Sequence, residues 1–380
     1  MAALDGLRGV AILLVLFNHF TTHSGVGRLY PGLARVALVG NSGVDFFFVL
    51  SGFLITGILL DGRGGAGYFS SFYMRRVLRI VPAYAVTLLL GFGLLPLVGA
   101  RLHLATRDLV WIRAVSGDGW WYVLYLSNYF IAMTMTYRNE VLDHSWSLAI
   151  EEQFYLVWPL VVAVLSREGL MRCCVAVIAG ALACRLALLT AGAPLLWTYF
   201  LTPCRMDELA LGALAAAVLR APGDGGRRFE RVCLGATVLA ASVTAALQLA
   251  HARPDGFLAH CAASWRYAIL GWIGTALILR VLRHPAGALA RCLSSRVLGF
   301  FGKYSYGLYL YHLFVVILVR NVLIGEHDCT LPLQMAFYLV ATAVTVLMAW
   351  ASWQLLERRC LALKSRFPSA VGPPAAAGPG

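Results

Sequence analysis

Ten stretches of the chain are each apolar for about 20 residues, the length a helix needs to cross the hydrocarbon core of a bilayer. They lie near 5–22, 36–60, 78–99, 148–165, 172–191, 203–219, 232–250, 264–282, 303–323 and 333–356. This pattern predicts an all-α polytopic membrane protein of about ten transmembrane helices. An eleventh apolar stretch, WWYVLYLSNYFIAM at 120–133, is rich in aromatic residues and poor in aliphatic ones. It reads as a re-entrant or interfacial segment between the third and fourth helices, with a full span as the alternative.

Composition agrees with the spans. Of 380 residues 60% are hydrophobic and only 13% charged, and the mean hydropathy is +0.75, well above that of a soluble domain. The formal charge of +13 would suggest nucleic acid as the partner of a soluble protein. Here the basic residues are better explained by topology, and no nucleic-acid partner is expected. With the N-terminus inside, the segments on the inner side gather the clusters Arg75, Arg76 and Arg79; Arg227, Arg228 and Arg231; and Arg358, Arg359, Lys364 and Arg366. The outer segments carry scattered arginines such as Arg28, Arg138 and Arg253. Lys and Arg collect on the cytoplasmic side, so both termini are expected in the cytoplasm, with the chain embedded in the lipid of the bacterial inner (cell) membrane. An eleventh full span would reverse every later loop and move its arginines outside.

The remaining organisation is simple. Residues 1–366 read as one integral-membrane domain and 367–380 as a disordered tail, because PSAVGPPAAAGPG is low-complexity. There is no internal repeat and no cleavable leader behind the first span. The nine cysteines are scattered without a CxxC spacing, so no metal site or disulfide framework is expected.

Ionisable residues inside spans usually face a cavity and mark function, and several occur here. In LDGLRGVAILLVLFNHF, residues 4–20, Arg8 and His19 are eleven residues apart. At about 100° per residue this is three turns plus about 20°, so they share a face, separated by about 16 Å along the axis. Arg8 is either a topological anchor paired with Asp5 or part of a site; His19 lies in the outer half of the membrane. Asp45, among phenylalanines in GVDFFFVLSGFLITG, needs a partner. A bond to His19 would set the ring tautomer and leave the other nitrogen as a base, whereas a structural pairing with an arginine is the alternative. Arg75, Arg76 and Arg79 in FYMRRVLRIVPAY cluster over one turn and could grip phosphates through guanidinium forks, or serve only as anchors. In HSWSLAIEEQFYLVWPL, residues 144–160, Glu151 and Glu152 point about 100° apart, so only one can share a cavity with His19. Glu152 is taken as that one. His144 precedes the pair. In TPCRMDELALG, Thr202 can cap a helix and Arg205 lies one turn from Glu208. Arg205, Asp207 and Glu208 are either acceptor-binding groups or a structural salt bridge. His312 sits mid-span among tyrosines in YSYGLYLYHLFV, as a second wall of the cavity or as a buried, bonded histidine.

Taken together, LDGLRGVAILLVLFNH, GVDFFFVLSGFLI, FYMRRVLRIVPAY, HSWSLAIEEQFYLVWP and YSYGLYLYHLF, in this order and spacing, resemble acyltransferase family 3 over about residues 4–357. Its members are integral-membrane O-acyltransferases that modify sugars and macrolides, typically with ten spans and in some cases an added extracytoplasmic domain. The chain stops soon after its tenth span, so that domain is not expected. The resemblance implies that Arg8 and His19 form the arginine-to-histidine motif of the first span. It further implies that Arg76 and Arg79 bind acyl-CoA, and it supports Asp45, Glu152 and His312 as polar groups of the core. Acyl-CoA, acetyl-CoA above all, is then a co-substrate, with no permanently bound cofactor. Its nucleotide would rest on the inner arginines, and His19 would deprotonate a hydroxyl of a carbohydrate, lipid-linked sugar or macrolide acceptor. The competing class is a proton-coupled transporter of a small polar or sugar-like solute, since intramembrane His, Asp and Glu also build proton relays. No inverted repeat or pair of broken helices supports it.

Overall fold

The computed structural model describes residues 2–94, 116–136, 139–249, 257–325 and 329–367. The tail expected to be disordered lies, from residue 368 on, outside the described residues, as does the outer end of the third apolar run beyond residue 94. The protein is an all-α polytopic membrane protein. Among the described residues, eight helices are long and apolar enough to cross a membrane.

The long helices in chain order are α1 (Ala2–Ser24), α2 (Ser42–Asp61) and α3 (Tyr68–Leu88). After the short α4 (Gly119–Val123) and α5 (Ser127–Thr134) come α6 (Trp146–Val164), α7 (Arg167–Thr190) and α8 (Met206–Leu219). The chain then runs through α9 (Gly225–Leu249), α10 (Phe257–Arg283), α11 (Arg296–Leu323) and α12 (Leu331–Ser352). The aromatic stretch at 120–133 forms α4 and α5, which at five and eight residues are too short to span a bilayer. Their start signals are legible where they exist: the hydroxyls of Ser166 and Ser295 accept from the amides of Gly169 and Leu298 to cap α7 and α11.

Two of the ten sequence-predicted runs, those at 203–219 and 232–250, fall on α8 and α9, which are not among those eight. α8 has only 14 residues, yet ion pairs fix its depth. Arg205, just before it, bonds Asp45 at the start of α2, and Arg220, just after it, forms a two-pronged bond with Asp61 at the end of α2. α8 therefore runs parallel to α2 over nearly the whole length of α2. Thr202 does not cap it, contrary to the sequence reading: its hydroxyl bonds Gln153 and accepts from Asn128 Nδ2 at 2.9 Å.

Small residues decide which helices touch. In lipid no hydrophobic force pulls apolar helices together, so close backbone approach and interhelical polar bonds carry association. A Cβ at Gly302 of α11 would overlap the Asp5 carbonyl of α1, and one at Gly9 would overlap the carbonyl of Leu298. The same device joins α2 and α8, where Gly52 and Gly212 lie against the carbonyls of Leu209 and Val49. Each pair of helices is thereby held at a separation that only glycine permits.

This contact predicts that Gly302→Ala loosens the α1–α11 seam at a cost of about 1–3 kcal/mol, the usual penalty for overpacking. Thermal unfolding of the protein in detergent should show a lowered midpoint. Gly299→Ala on the same helix, where a Cβ meets open space, should leave the midpoint in place.

Candidate active site

A cavity of about 100 Å³ opens between α1, α2, α3, α6 and α11. Three guanidinium groups line it, Arg8 from α1 and Arg76 and Arg79 from α3. Helical spacing explains why they converge, since Arg76 and Arg79 are three apart and occupy one face of α3. Asp5 pairs with Arg8 at 3.6 Å, as the sequence suggested, but the arginine still borders the cavity. Arg75, the third member of the sequence cluster, is directed elsewhere and donates from Nε to the carbonyl of Phe367 at 3.0 Å.

The α6 wall presents Ser147, Glu151 and Tyr155, spaced four residues apart and so stacked on one face. Glu151, not Glu152, is the carboxylate that faces the cavity. Its oxygens accept from Ser51 at 3.0 Å and Tyr155 at 2.9 Å, and the Arg76 guanidinium lies 5.3 Å from the Tyr155 ring. Glu152 turns about a quarter-turn away, toward Tyr84, Tyr125 and Tyr306, with Oε1 buried and unbonded among the described residues. The four-residue spacing of Ser147, Glu151 and Tyr155 was the available signal for choosing between the two glutamates.

Ser147 and Tyr309 line the same cavity. The Tyr309 hydroxyl donates to the His144 carbonyl at 2.6 Å and bonds the Ser147 hydroxyl at 2.6 Å. Its ring also borders a cluster of imidazoles, with centroids 5.0 Å from His144 and 5.7 Å from His312. His144 and His312 are 5.1 Å apart edge to face. The rings of His19 and His312 are tilted by only 23°, with centroids 4.8 Å apart, and meet edge to edge, Nδ1 to Nε2 at 2.7 Å. About three turns of α1 thus join Arg8 at the cavity to His19 in the cluster. Both His144 and His312 are buried, while His19 keeps part of its surface exposed. Among the described residues His144 makes no side-chain hydrogen bond of good geometry, the Val141 and Tyr309 carbonyls being polar atoms near it.

Asp45 does not meet His19. It bonds Arg205 Nη2 at 2.5 Å, so the structural pairing is the one that forms. Arg205 also holds Glu208 at 3.0 Å and lies 4.2 Å from the centre of the Tyr267 ring. Next to it Arg185 holds Asp207 at 2.7 Å and donates to the carbonyls of Cys204 and Ser264. Arg185, Arg205, Asp207 and Glu208 are all fully buried, which leaves them no surface on which an acceptor could rest. They tie α2, α7, α8 and α10 together.

The match that decides the family covers nearly the whole chain: the acyltransferase-domain family model fits residues 1–354. The chain belongs to acyltransferase family 3. It is 29% identical over 373 residues to a predicted O-acetyltransferase of Staphylococcus aureus strain MSSA476, and 28% identical over 370 residues to the O-acetyltransferase OatA of S. aureus strain NCTC 8325. Both alignments take in 94% of this chain and 56% of the relative, so the chain spans just over half the length of these curated relatives. No solved structure matches it.

The buried ion network predicts that Arg205→Leu, which strands Asp45 and Glu208, costs about 3–5 kcal/mol. Little folded protein should be recovered from membranes by size-exclusion chromatography in detergent. Asp45→Asn keeps a bonding partner for Arg205 and should be milder, and the protein that folds should keep its turnover number, because Asp45 does not touch His19.

Proposed function

We propose that the protein moves an acyl group, acetyl in the first instance, from cytoplasmic acyl-CoA to a hydroxyl of a carbohydrate, lipid-linked sugar or macrolide. The single observation that carries this reading is the arrangement along α1. Arg8 lies in an arginine-lined cavity, and His19 lies about 16 Å further along the helix, bonded to His312, whose ring borders the Tyr309 wall of that cavity. The names of the O-acetyltransferase relatives support the acetyl group.

In this scheme the donor's phosphates bind Arg8, Arg76 and Arg79 by charge-assisted bonds. The pantetheine arm runs along the apolar α2 face toward Ser147 and Tyr309, a path compatible with the distance between Arg8 and His19. The acceptor approaches the exposed side of His19. His19 takes the hydroxyl proton as the oxygen lone pair attacks the thioester carbonyl. The carbon–sulfur bond then breaks, the ester forms, and the CoA thiolate leaves and regains a proton. Glu151, beside Arg76, offsets one of the three positive charges that line the cavity. The positive-inside distribution of arginines supports cytoplasmic termini and delivery of the donor from the cytoplasm.

Purified protein in bilayer nanodiscs should release free thiol from acetyl-CoA in the presence of hydroxyl acceptors, whereas a transporter would release none. His19→Ala should abolish that release while the protein stays folded. Arg76→Ala and Arg79→Ala should each weaken acetyl-CoA binding by about 1–3 kcal/mol, with the loss read by calorimetry and deepened by salt. Unchanged affinity in both variants would make the cluster a topological anchor. In a background without the native cysteines, Pro222→Cys should react with a membrane-impermeant thiol reagent only in opened cells, and Ala191→Cys in intact ones. Labelling of position 222 from outside would invert the membrane placement and rule out cytosolic donor delivery.

A further inference from the structure

We infer that His312 is a positioning residue that fixes the tautomer of His19, with the Tyr309 main-chain carbonyl as the fixed end of the relay. The inference rests on the reading of His19 as the general base.

The direction of the chain of bonds follows from what each atom can do. A main-chain carbonyl only accepts. His312 Nδ1 lies 2.6 Å from the Tyr309 carbonyl oxygen, so Nδ1 carries the proton and donates it there. A neutral imidazole has one N–H and one lone pair, so His312 Nε2 is an acceptor. It lies 2.7 Å from His19 Nδ1, and two bare nitrogens at that distance would repel. His19 therefore carries its proton on Nδ1 and donates it to His312. Its Nε2 is left with the lone pair, and no hydrogen-bond partner occupies that atom among the described residues. A base needs this form: one nitrogen tethered, the other free toward the hydroxyl it deprotonates.

The tether also defines the ring's orientation. His23 Nδ1 bonds the carbonyl of His19 at 2.9 Å, not its ring, so the ring of His19 is held on the side of His312. When His19 gains a proton at Nε2, the positive charge spreads over a ring whose other N–H already points at the His312 lone pair. His312 itself is fully buried and His19 is not, so the acceptor can meet His19 and not His312. Groups that hold a metal-binding histidine by its second nitrogen typically contribute about 10- to 100-fold, and the same scale is expected for a histidine held as a base.

The test uses three variants of the full-length protein in nanodiscs, with acetyl-CoA as donor and p-nitrophenyl glycosides as hydroxyl probes. His312→Gln retains an acceptor oxygen within reach of His19 Nδ1; His312→Phe retains the ring volume and loses the acceptor; His19→Ala removes the base. His312→Phe should lower kcat about 10- to 100-fold with the calorimetric affinity for acetyl-CoA unchanged, and His312→Gln should restore most of it. A residue that only fills space would give the opposite order, with Phe equal to wild type and Gln impaired, and that order would overturn the inference. Nitrogen-15 spectra of histidine-labelled protein in bilayers, with the His19 signals assigned by their loss in His19→Ala, read the tautomer without any turnover. Protonated Nδ1 and bare Nε2 are expected in wild type and in His312→Gln, and a mixture in His312→Phe. Protonation of Nε2 in the wild type would equally overturn the inference. Full activity in His19→Ala would overturn the base reading itself, whereas an inactive His19→Ala beside a fully active His312→Phe would overturn the positioning role alone.

Discussion

The contact between α1 and α11 is the constraint from which the site follows. Gly302 and Gly9 allow the two backbones to meet with carbonyls where side chains would otherwise stand, and in a bilayer such close packing replaces the hydrophobic force that assembles soluble cores. Ten residues beyond each glycine the consequence appears, at His19 on one helix and at His312 on the other. Had either position carried a larger side chain, the helices would stand further apart, and a 2.7 Å bond between two imidazoles could not form.

A second framework of buried charge surrounds this pair. Two arginines and three carboxylates, Arg185, Arg205, Asp45, Asp207 and Glu208, lie out of contact with solvent and bind four helices to one another. Buried ion pairs are weak evidence for net stability, since desolvation offsets the Coulombic gain, but the loss of one partner is severe. Their role here is registry. Asp45 with Arg205 at one level and Asp61 with Arg220 at the other prevent the short α8 from sliding along α2. The charges of the two regions are thus treated differently, with Arg8, Arg76, Arg79 and Glu151 lining the cavity and Asp45, Arg185, Arg205, Asp207 and Glu208 buried.

Helix existence, approximate span boundaries and the shared face of Arg8 and His19 were legible in the chain, because each depends on neighbours within a few turns. The choice between Glu151 and Glu152 was legible in principle, through the spacing of Ser147, Glu151 and Tyr155, but adjacent carboxylates are equivalent to composition and only their helix face separates them. The partner of Asp45 was not legible. The sequence offered His19 of the preceding span or an arginine it could not specify, and no local rule ranks one span's approach over another's.

What the sequence determined by itself is what the helix repeat enforces: which residues share a face, how far apart they stand along an axis, and which segments are apolar enough for lipid. The tertiary structure alone decided the pairings, His19 with His312 across 293 positions and Asp45 with Arg205 across 160. The physical reason is distance. Hydrogen bonds and buried ion pairs act over about 3 Å, and that separation between two spans is set by where glycines let their backbones approach, a property of two helices together and of neither one alone.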